Sequence, residues 1–465
     1  MVVGNRRKIE AITRELILTN DQLQKVSVNL LHQFHKGLSW DTHCNAAVKM
    51  FPTYVTDVPN GKEQGKFLAL DLGGTNFRVL LITLEGDDFH MENEAFGIPE
   101  SIMLGTGTQL FDHIAECLAN FMERQKVKDL KLPLGFTFSF PCKQEGLASA
   151  RLTGWTKGFK CSGVEGEDVG ELLQAAMSRR GDIDVNVVAI INDTTGTLMA
   201  CAHKNRECRV GLIIGTGTNA CFMDTVYVNE GKPKTRPYMA NVDNDVELWD
   251  RDAVEPRQVI VNTEWGAFGD DGCLDFIRTQ YDREVDNISL NPKKQLFEKM
   301  ISGMYMGEVA RQVLVRLTRD GLLFGGKFST QLLTPYAFLT KYISMIESDG
   351  KNSFDETRNV MNLLGLEHAT DLDLNNVKLV CARVSTRAAF LVSAAVATIL
   401  NKIKRPHTTV GVDGSVYKCH PHFHDLMEKK VEELTIPDYK FDLMLSEDGS
   451  GRGAALVAAV SERSR

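Results

Sequence analysis

The stretch Phe67-Leu-Ala-Leu-Asp-Leu-Gly-Gly-Thr-Asn-Phe-Arg-Val-Leu-Leu-Ile82 limits what this chain can fold into more than any other. Apolar, strand-prone residues run up to Asp71. A polar turn follows at Gly73, Gly74, Thr75 and Asn76, and a second apolar run leaves at Phe77. The pattern predicts two antiparallel strands joined by a glycine hairpin. Glycines without Cβ let backbone N–H groups approach an anion closely. A carboxylate one step before the turn suits a divalent cation, held directly or through water. An ordinary hairpin with a buried Asp has the same pattern, so one copy alone assigns no site. A second copy, Val210-Gly-Leu-Ile-Ile-Gly-Thr-Gly-Thr-Asn-Ala-Cys-Phe-Met223, repeats the layout in the other half of the chain. Two such units predict an internal structural repeat, with facing loops able to grip a polyphosphate from both sides.

A chain of 465 residues has room for two domains and an ample core. The net charge of -8 provides no basic surface for nucleic acid. The ten cysteines form no CxxC pair and show no zinc spacing, which reads as reduced thiols in the cytoplasm. The segment Met-Val-Val-Gly-Asn-Arg-Arg-Lys lacks the apolar core of a signal peptide. Ala388 to Leu400, the longest apolar run, is interrupted by Ser393 and Thr398 and reads as a buried helix too short to span a bilayer. No membrane insertion is expected.

Along the chain, residues 8–37 read as helix, with Thr19-Asn-Asp21 interrupting the pattern and capping a new one. Asp112–Lys126 and Val169–Arg180 read as helices, and Leu132–Pro141 and Val185–Ile191 as strands. The polar segment between Phe222 and Val259 reads as an exposed loop, and residues 293–403 as mostly helical. Thr408–Val416 reads as a strand with a glycine turn, and Phe441–Leu445 as a strand. Glu447-Asp-Gly-Ser-Gly-Arg-Gly453 then opens a final Ala-rich helix, whose N-terminus suits an anion.

Polar residues cluster at the ends of apolar strands, where α/β folds place their sites. Asn192 and Asp193 follow Val187–Ile191, Asn219 closes the second glycine turn, Glu264 follows Val259–Thr263, and Thr156 and Lys157 lie in Gly154–Phe159. Singly, each reads as well as a cap or a satisfied turn residue. A sugar site needs many directional donors and acceptors, and a phosphorylating one also needs a general base.

The glycine-hairpin repeat resembles the actin-like ATPase (ribonuclease H-like) fold, an α/β architecture in which two domains with mixed sheets and helices flank a cleft. The chain further resembles the eukaryotic hexokinase and glucokinase family in its single-unit form. The matching segments are Leu70–Arg78, Leu134–Pro141, Trp155–Phe159, Asn192–Thr194, Gly215–Asn219, Asn262–Gly269, Gln295–Lys299, Val412–Lys418 and Ser446–Ala454, in order over nearly the whole chain. The resemblance implies a small domain at 67–193, a large domain at 194–446 with the helical 1–66, and a C-terminal helix at 447–465 returning to the small domain. It implies ATP-dependent phosphorylation of the 6-hydroxyl of glucose and related hexoses, with Mg²⁺, by a monomer. Asp193 is then the general base, and Ser139, Thr156, Lys157, Asn192, Asn219, Glu264 and Glu298 hold the hexose, with Lys157 also opposing phosphate charge. Asp71, Gly73, Gly74, Thr75 and Asn76 form the first phosphate loop, with Asp71 near Mg²⁺ through water. Gly215, Thr216 and Gly217 form the second, and Asp413, Gly414 and Ser415 face the nucleotide. Arg78 is either a phosphate contact or a structural ion pair.

Three features point elsewhere. The region 224–257 reads as a surface insertion longer than the family's short hairpin. Cys419-His-Pro-His-Phe-His424 has three histidines that alternation would put on one side of a strand, although Pro421 interrupts it and the family has no metal there. Gly215–Ala220 matches GxGxxA, but a strand rather than a helix follows, and no GxxxxGK[ST] occurs. A catalytically weak sugar sensor and a non-sugar actin-like ATPase are the competing functions.

Overall fold

The computed structural model describes residues 2–39, 41–73, 76–85, 88–155, 158–226, 239–240, 246–247, 257–351 and 353–463. The first two helices, α1 (Val2–Ile12) and α2 (Asn20–Leu38), are separated by a turn that Thr19 ends. Gln22 N donates to Thr19 Oγ1 at 3.2 Å and Thr19 N donates to Gln22 Oε1 at 2.9 Å. Such a reciprocal cap stabilises the helix by about 1 kcal/mol. Its face of Leu23, Val26, Leu30 and Phe34 is fully buried.

The glycine hairpin separates β1 (Gln64–Leu72) from β2 (Asn76–Glu85), which pair antiparallel with Asp71 opposite Arg78. A third strand, β3 (Asp88–Gly97), continues the meander. Helix α3 (Gly107–Arg124) then crosses to β4 (Leu132–Phe138), which runs parallel to β1. A two-stranded ribbon, β5 (Cys142–Gly146) and β6 (Ser149–Leu152), precedes α4 (Val169–Arg180) and β7 (Val185–Ile191), parallel to β4. This gives the order β3-β2-β1-β4-β7. Helix α5 (Asp193–Lys204) leads out of it.

The second sheet repeats the plan. β8 (Cys208–Ile214), β9 (Thr218–Val226) and β10 (Arg257–Asn262) form an antiparallel meander. After a helical insertion that includes α6 (Leu296–Ile301) and α7 (Asp371–Ile403), β11 (His407–Asp413) pairs parallel with β8. Helix α8 (Phe423–Leu434) then precedes β12 (Lys440–Leu445), parallel to β11, and α9 (Gly449–Arg463) ends the described chain. The order β10-β9-β8-β11-β12 is again third, second, first, fourth, fifth. The strand Phe51–Pro52 adds to the β10 edge.

Each sheet is followed by a helix that packs on the other sheet. Helix α5 leaves the first sheet and lies on β8 and β11, and α9 leaves the second and lies on β1, β4 and β7. The two helices cross so closely that a Cβ on Gly453 would sit 2.1 Å from Gly196 Cα. Side chains of both helices and both sheets, among them Ala69, Leu80, Leu198, Cys221, Ile260 and Leu456, form one apolar cluster between the two larger cores.

Three expectations need correction. The apolar run at 388–400 is the middle of α7, a helix of 33 residues. It is long and apolar enough to cross a bilayer by length and composition, yet 72% of its most apolar window is buried inside this protein. The loop expected after Phe222 begins later, because β9 runs on to Val226. Asp224 on it is buried against Lys402, whose Nζ lies 2.7 Å from its carboxylate. Two-residue strands occur at Met239–Ala240 and Val246–Glu247, and the remainder of 227–256 lies outside the described residues. The histidines at 420–424 are not on a strand: they span the turn into α8, where His420 and His422 both reach Glu347 and His424 reaches Tyr417. His420 faces Glu347 Oε1 at 3.3 Å, His422 Nε2 the Glu347 carbonyl at 3.1 Å, and His424 Nδ1 the Tyr417 hydroxyl at 2.5 Å. Among the described residues no group of three or more His, Cys, Asp or Glu is arranged to hold a metal.

Candidate active site

Chain reversal at the ends of parallel strands exposes backbone and polar side chains together, and both sheets end at one cleft. From the first sheet, β7 ends at Ile191 and Asn192 caps α5. Its Oδ1 accepts from Thr194 N at 2.8 Å and Thr194 Oγ1 at 2.7 Å. Asp193 is therefore held in the first turn of α5, where a carboxylate is favoured by the helix dipole. The Thr197 hydroxyl ties down its carbonyl at 3.0 Å. Ser139 follows β4, its N–H donating to Leu72 O at 3.0 Å, which puts it beside Gly73.

Thr156, Lys157, Gly74 and Thr75 lie outside the described residues. Trp155 stacks on Phe159 with centroids 5.3 Å apart, and its Nε1 donates to Cys161 O at 2.8 Å.

From the second sheet come Asn219, Asn262 and Glu264. Asn262 Nδ2 donates to Glu264 Oε1 at 2.7 Å, and Asn219 Nδ2 donates to Asn262 Oδ1 at 2.8 Å and to Glu264 Oε1 at 3.2 Å. Glu264 has left-handed backbone angles, φ 54° and ψ 44°, which cost a non-glycine residue about 1 kcal/mol. Strain of this kind persists only where surrounding contacts fix it. Asn192 and Glu264, from opposite sheets, line the same cavity, together with Asn262, Phe138, Phe140 and Cys142. Burial, followed by the nearby Glu264 and Asp168 charges, pushes the Cys142 thiol up to about 12.

Glu298, in the first turn of α6, accepts from Thr218 N at 3.0 Å. A Cβ on Gly217 would sit 2.5 Å from its Oε2, so only glycine lets the second loop pass this close. Burial, then the Glu298 charge, raises the neighbouring Tyr305 to about 12. The carbonyls of Gly215, Thr216 and Gly217 all accept backbone hydrogen bonds, from Gly303, Met304 and Gly215 N–H groups at 2.8, 3.2 and 2.9 Å. Oxygens that would repel a phosphate are thereby occupied.

The first loop has a different support. Asp71 Oδ2 accepts from Arg78 Nη2 at 2.6 Å and from Ser450 Oγ at 2.7 Å. Arg78 also reaches Asp448 at 2.6 Å. Burial disfavours the Arg78 cation, but Asp448 and Asp71 outweigh it and hold the proton more tightly than usual. Arg78 thus forms an ion pair joining the loop to the start of α9. Asp413 likewise braces: its Oδ1 accepts from Gly414 N and Lys418 Nζ, both at 2.6 Å, and its Oδ2 from Gly449 N at 3.1 Å. Gly414 and Ser415 follow it, Ser415 opening a short helix to Cys419.

The cleft gathers Asn192, Asn219, Glu264 and Glu298 around the second loop and the start of α5. Asn262, Ser450 and Asp448 were not singled out from the sequence. Asn262 had a signal, since it stands two residues before Glu264 at the strand end. Ser450 and Asp448 lie at the glycine-rich start of the last helix, where the sequence pattern points to the backbone alone.

A family model described as Hexokinase matches residues 8–203, and a second so described matches 209–460. Human Hexokinase-2 is 48% identical over 98% of this chain and 48% of its own length. Human Hexokinase-1 is 46% identical over the same shares of the two chains. The chain thus spans about half the length of the curated relatives it matches. The solved structure of a hexokinase from Schistosoma mansoni complexed with glucose is 42% identical and superposes with a TM-score of 0.86, covering 99% of this chain and 100% of that one.

Proposed function

Since the chain belongs to the hexokinase family, we propose that it transfers the γ-phosphoryl group of ATP to the 6-hydroxyl of glucose and related hexoses. The observation that carries this reading is the convergence of Asn192, beside Asp193, with Asn262 and Glu264 from the opposite sheet on one cavity. A ring of hydroxyls needs fixed amides and carboxylates, and this cleft supplies them already oriented.

Phosphoryl transfer asks mainly for positioning and charge neutralisation. Asp193 is the base that takes the 6-hydroxyl proton as the new bond to phosphorus forms and the bond from the γ-phosphorus to the bridging oxygen breaks, releasing ADP. Asn192, Asn219, Glu264, Glu298 and Ser139 position the sugar, joined by Thr156 and Lys157. The two glycine loops hold the phosphates through backbone N–H groups. Asp413, Gly414 and Ser415 border the nucleotide, Asp413 through its bracing of α9. Asp71 already accepts from Arg78 and Ser450, and this favours a water-mediated hold on Mg²⁺ over direct ligation. When bound, the ion supplies positive charge to the phosphate oxygens. The small domain is read as 67–193 with the returning helix, and the packing of α9 on the first sheet supports that division. The chain is read as acting as a monomer. The ten cysteines are free thiols, which supports residence in the cytoplasm.

The test is Mg-ATP-dependent phosphorylation of glucose by the native chain and by Asp193→Ala. The variant is expected to lose about 10²–10⁴-fold in kcat while retaining part of its glucose binding. Glucose binding without turnover in the native chain would make it a sensor, and ATP hydrolysis indifferent to sugar a plain ATPase.

A further inference from the structure

Resting on the reading of this cleft as a hexose site, we propose that Asn262 is a positioning residue that sets sugar affinity by fixing Glu264 and Asn219 relative to each other. Asn262 is the last residue of β10 and is 8% exposed. Its backbone is paired on both sides, with Cys221 of β9 and with Phe51 of the edge strand. Its side chain therefore projects from backbone held on both sides. The amide closes a three-membered ring of hydrogen bonds: Asn262 Nδ2 to Glu264 Oε1 at 2.7 Å, Asn219 Nδ2 to Asn262 Oδ1 at 2.8 Å, and Asn219 Nδ2 to Glu264 Oε1 at 3.2 Å.

The far side of Asn219 is fixed as well. Its Oδ1 accepts from Ala220 N at 2.8 Å and from Thr263 Oγ1 at 3.3 Å. The orientation of Asn219 and the rotamer of Glu264 are thus defined before any guest arrives, and Asn262 is the shared partner. The position demands a side chain that donates on one side and accepts on the other. Alanine does neither. An ionised aspartate would put a second carboxylate at the 2.7 Å position against Glu264, an arrangement in which both cannot stay charged. A protonated aspartic acid, in contrast, copies asparagine, with its O–H donating to Glu264 and its carbonyl accepting from Asn219. Among the described residues, the titratable groups near this spot include Asp193 next to Asn192 on the same cavity, Cys142 across it, His43 behind Phe51 and Glu298 on α6, and the native chain measured at the same two pH values carries all of them as the reference.

The experiment measures glucose affinity by calorimetry and steady-state kinetics on the full chain. Asn262→Ala is expected to raise the glucose dissociation constant and KM about tenfold, with kcat and the ATP KM within about threefold of native. Asn262→Asp is expected to bind glucose at least tenfold more weakly near pH 8, where the added carboxyl is ionised against Glu264, and to recover toward native affinity as the pH is lowered to about 5.5 and the pair takes up a proton. This acid rescue is the readout that a merely structural role would not move, because a loosened fold gains nothing from protonation at this atom. Native glucose affinity in a folded Asn262→Ala, or a loss in Asn262→Asp that ignores pH, overturns the positioning role. A native chain that neither binds nor phosphorylates glucose overturns the hexose reading and this inference with it. A native chain that does both beside unaffected variants overturns the inference alone.

Discussion

A carboxylate that recognises an uncharged guest needs its own geometry settled first, and the two glutamates of the cleft do this differently. Glu264 is steadied by side-chain amides, whereas Glu298 accepts the backbone N–H of Thr218 in the second glycine loop. Glu298→Ala should therefore weaken glucose and ATP together, each KM rising about tenfold, while a change at Asn262 is felt by glucose alone. Initial-rate kinetics with each substrate varied in turn separates the two. Arg78→Gln would leave Asp71 and Asp448 facing each other without their shared cation. We expect a loss of about 1–3 kcal/mol in stability, read from denaturant midpoints, together with a fall in kcat. At this scale, residue type and strand-end position were enough to single out Asn192, Asp193, Asn219 and Glu264. They could not show that Asp413 is engaged by Gly414, Lys418 and Gly449, since those partners meet it only in three dimensions. Nor could they separate the two roles considered for Arg78, because Asp448 lies far away in sequence.

Elements with a strong period were legible, and those at edges were not. Val169–Arg180 and Val185–Ile191 match their sequence-based bounds, because a capped helix and an unbroken apolar strand each carry a local signature. Strand β3, Asp-Phe-His-Met-Glu-Asn-Glu-Ala-Phe-Gly, was missed. As an edge strand it buries little, and its alternation is diluted by acidic residues. The β5–β6 ribbon was missed for the same reason: short strands with mixed burial resemble a loop. The crossing of α5 and α9 gives the clearest prediction for an element. Gly453→Ala would push a methyl to within 2.1 Å of Gly196 Cα. Because the opposing atoms are backbone, the helices have to separate. We expect a destabilisation of about 3 kcal/mol or more, visible as a lower thermal midpoint. An alanine at exposed Gly350, which has open space around it, serves as the control.

Across the whole molecule, buried thiols give stability a direction with pH. Burial pushes Cys142, Cys221 and Cys273 up to about 12. The native state keeps these protons while unfolded thiols release theirs near pH 8.5, so the native state binds more protons and stability falls as pH rises above about 9. The fully buried Cys221 contributes up to about 1.4 kcal/mol per pH unit in that window, and the partly exposed Cys142 and Cys273 contribute less. Denaturation at pH 8 and pH 10 under reducing conditions should show the fall, and replacing Cys273 by alanine should flatten it. Saturating glucose should raise the thermal midpoint, by about 2.7 kcal/mol of added stability at one hundred times its dissociation constant. The internal repeat was readable because both glycine hairpins keep their residue types. The exchange of terminal helices between sheets was not, since nothing local says which surface a helix will cover. That exchange has a consequence for biosynthesis. A ribosome delivers the strands of the first sheet long before it delivers α9, at on the order of 10 residues per second. Until α9 emerges, the surface around Gly135 that it covers stays open to water and to other nascent chains. The first half of the molecule is thus the part that chaperones would be expected to hold, and the emergence of α9 is the moment at which it can finish folding.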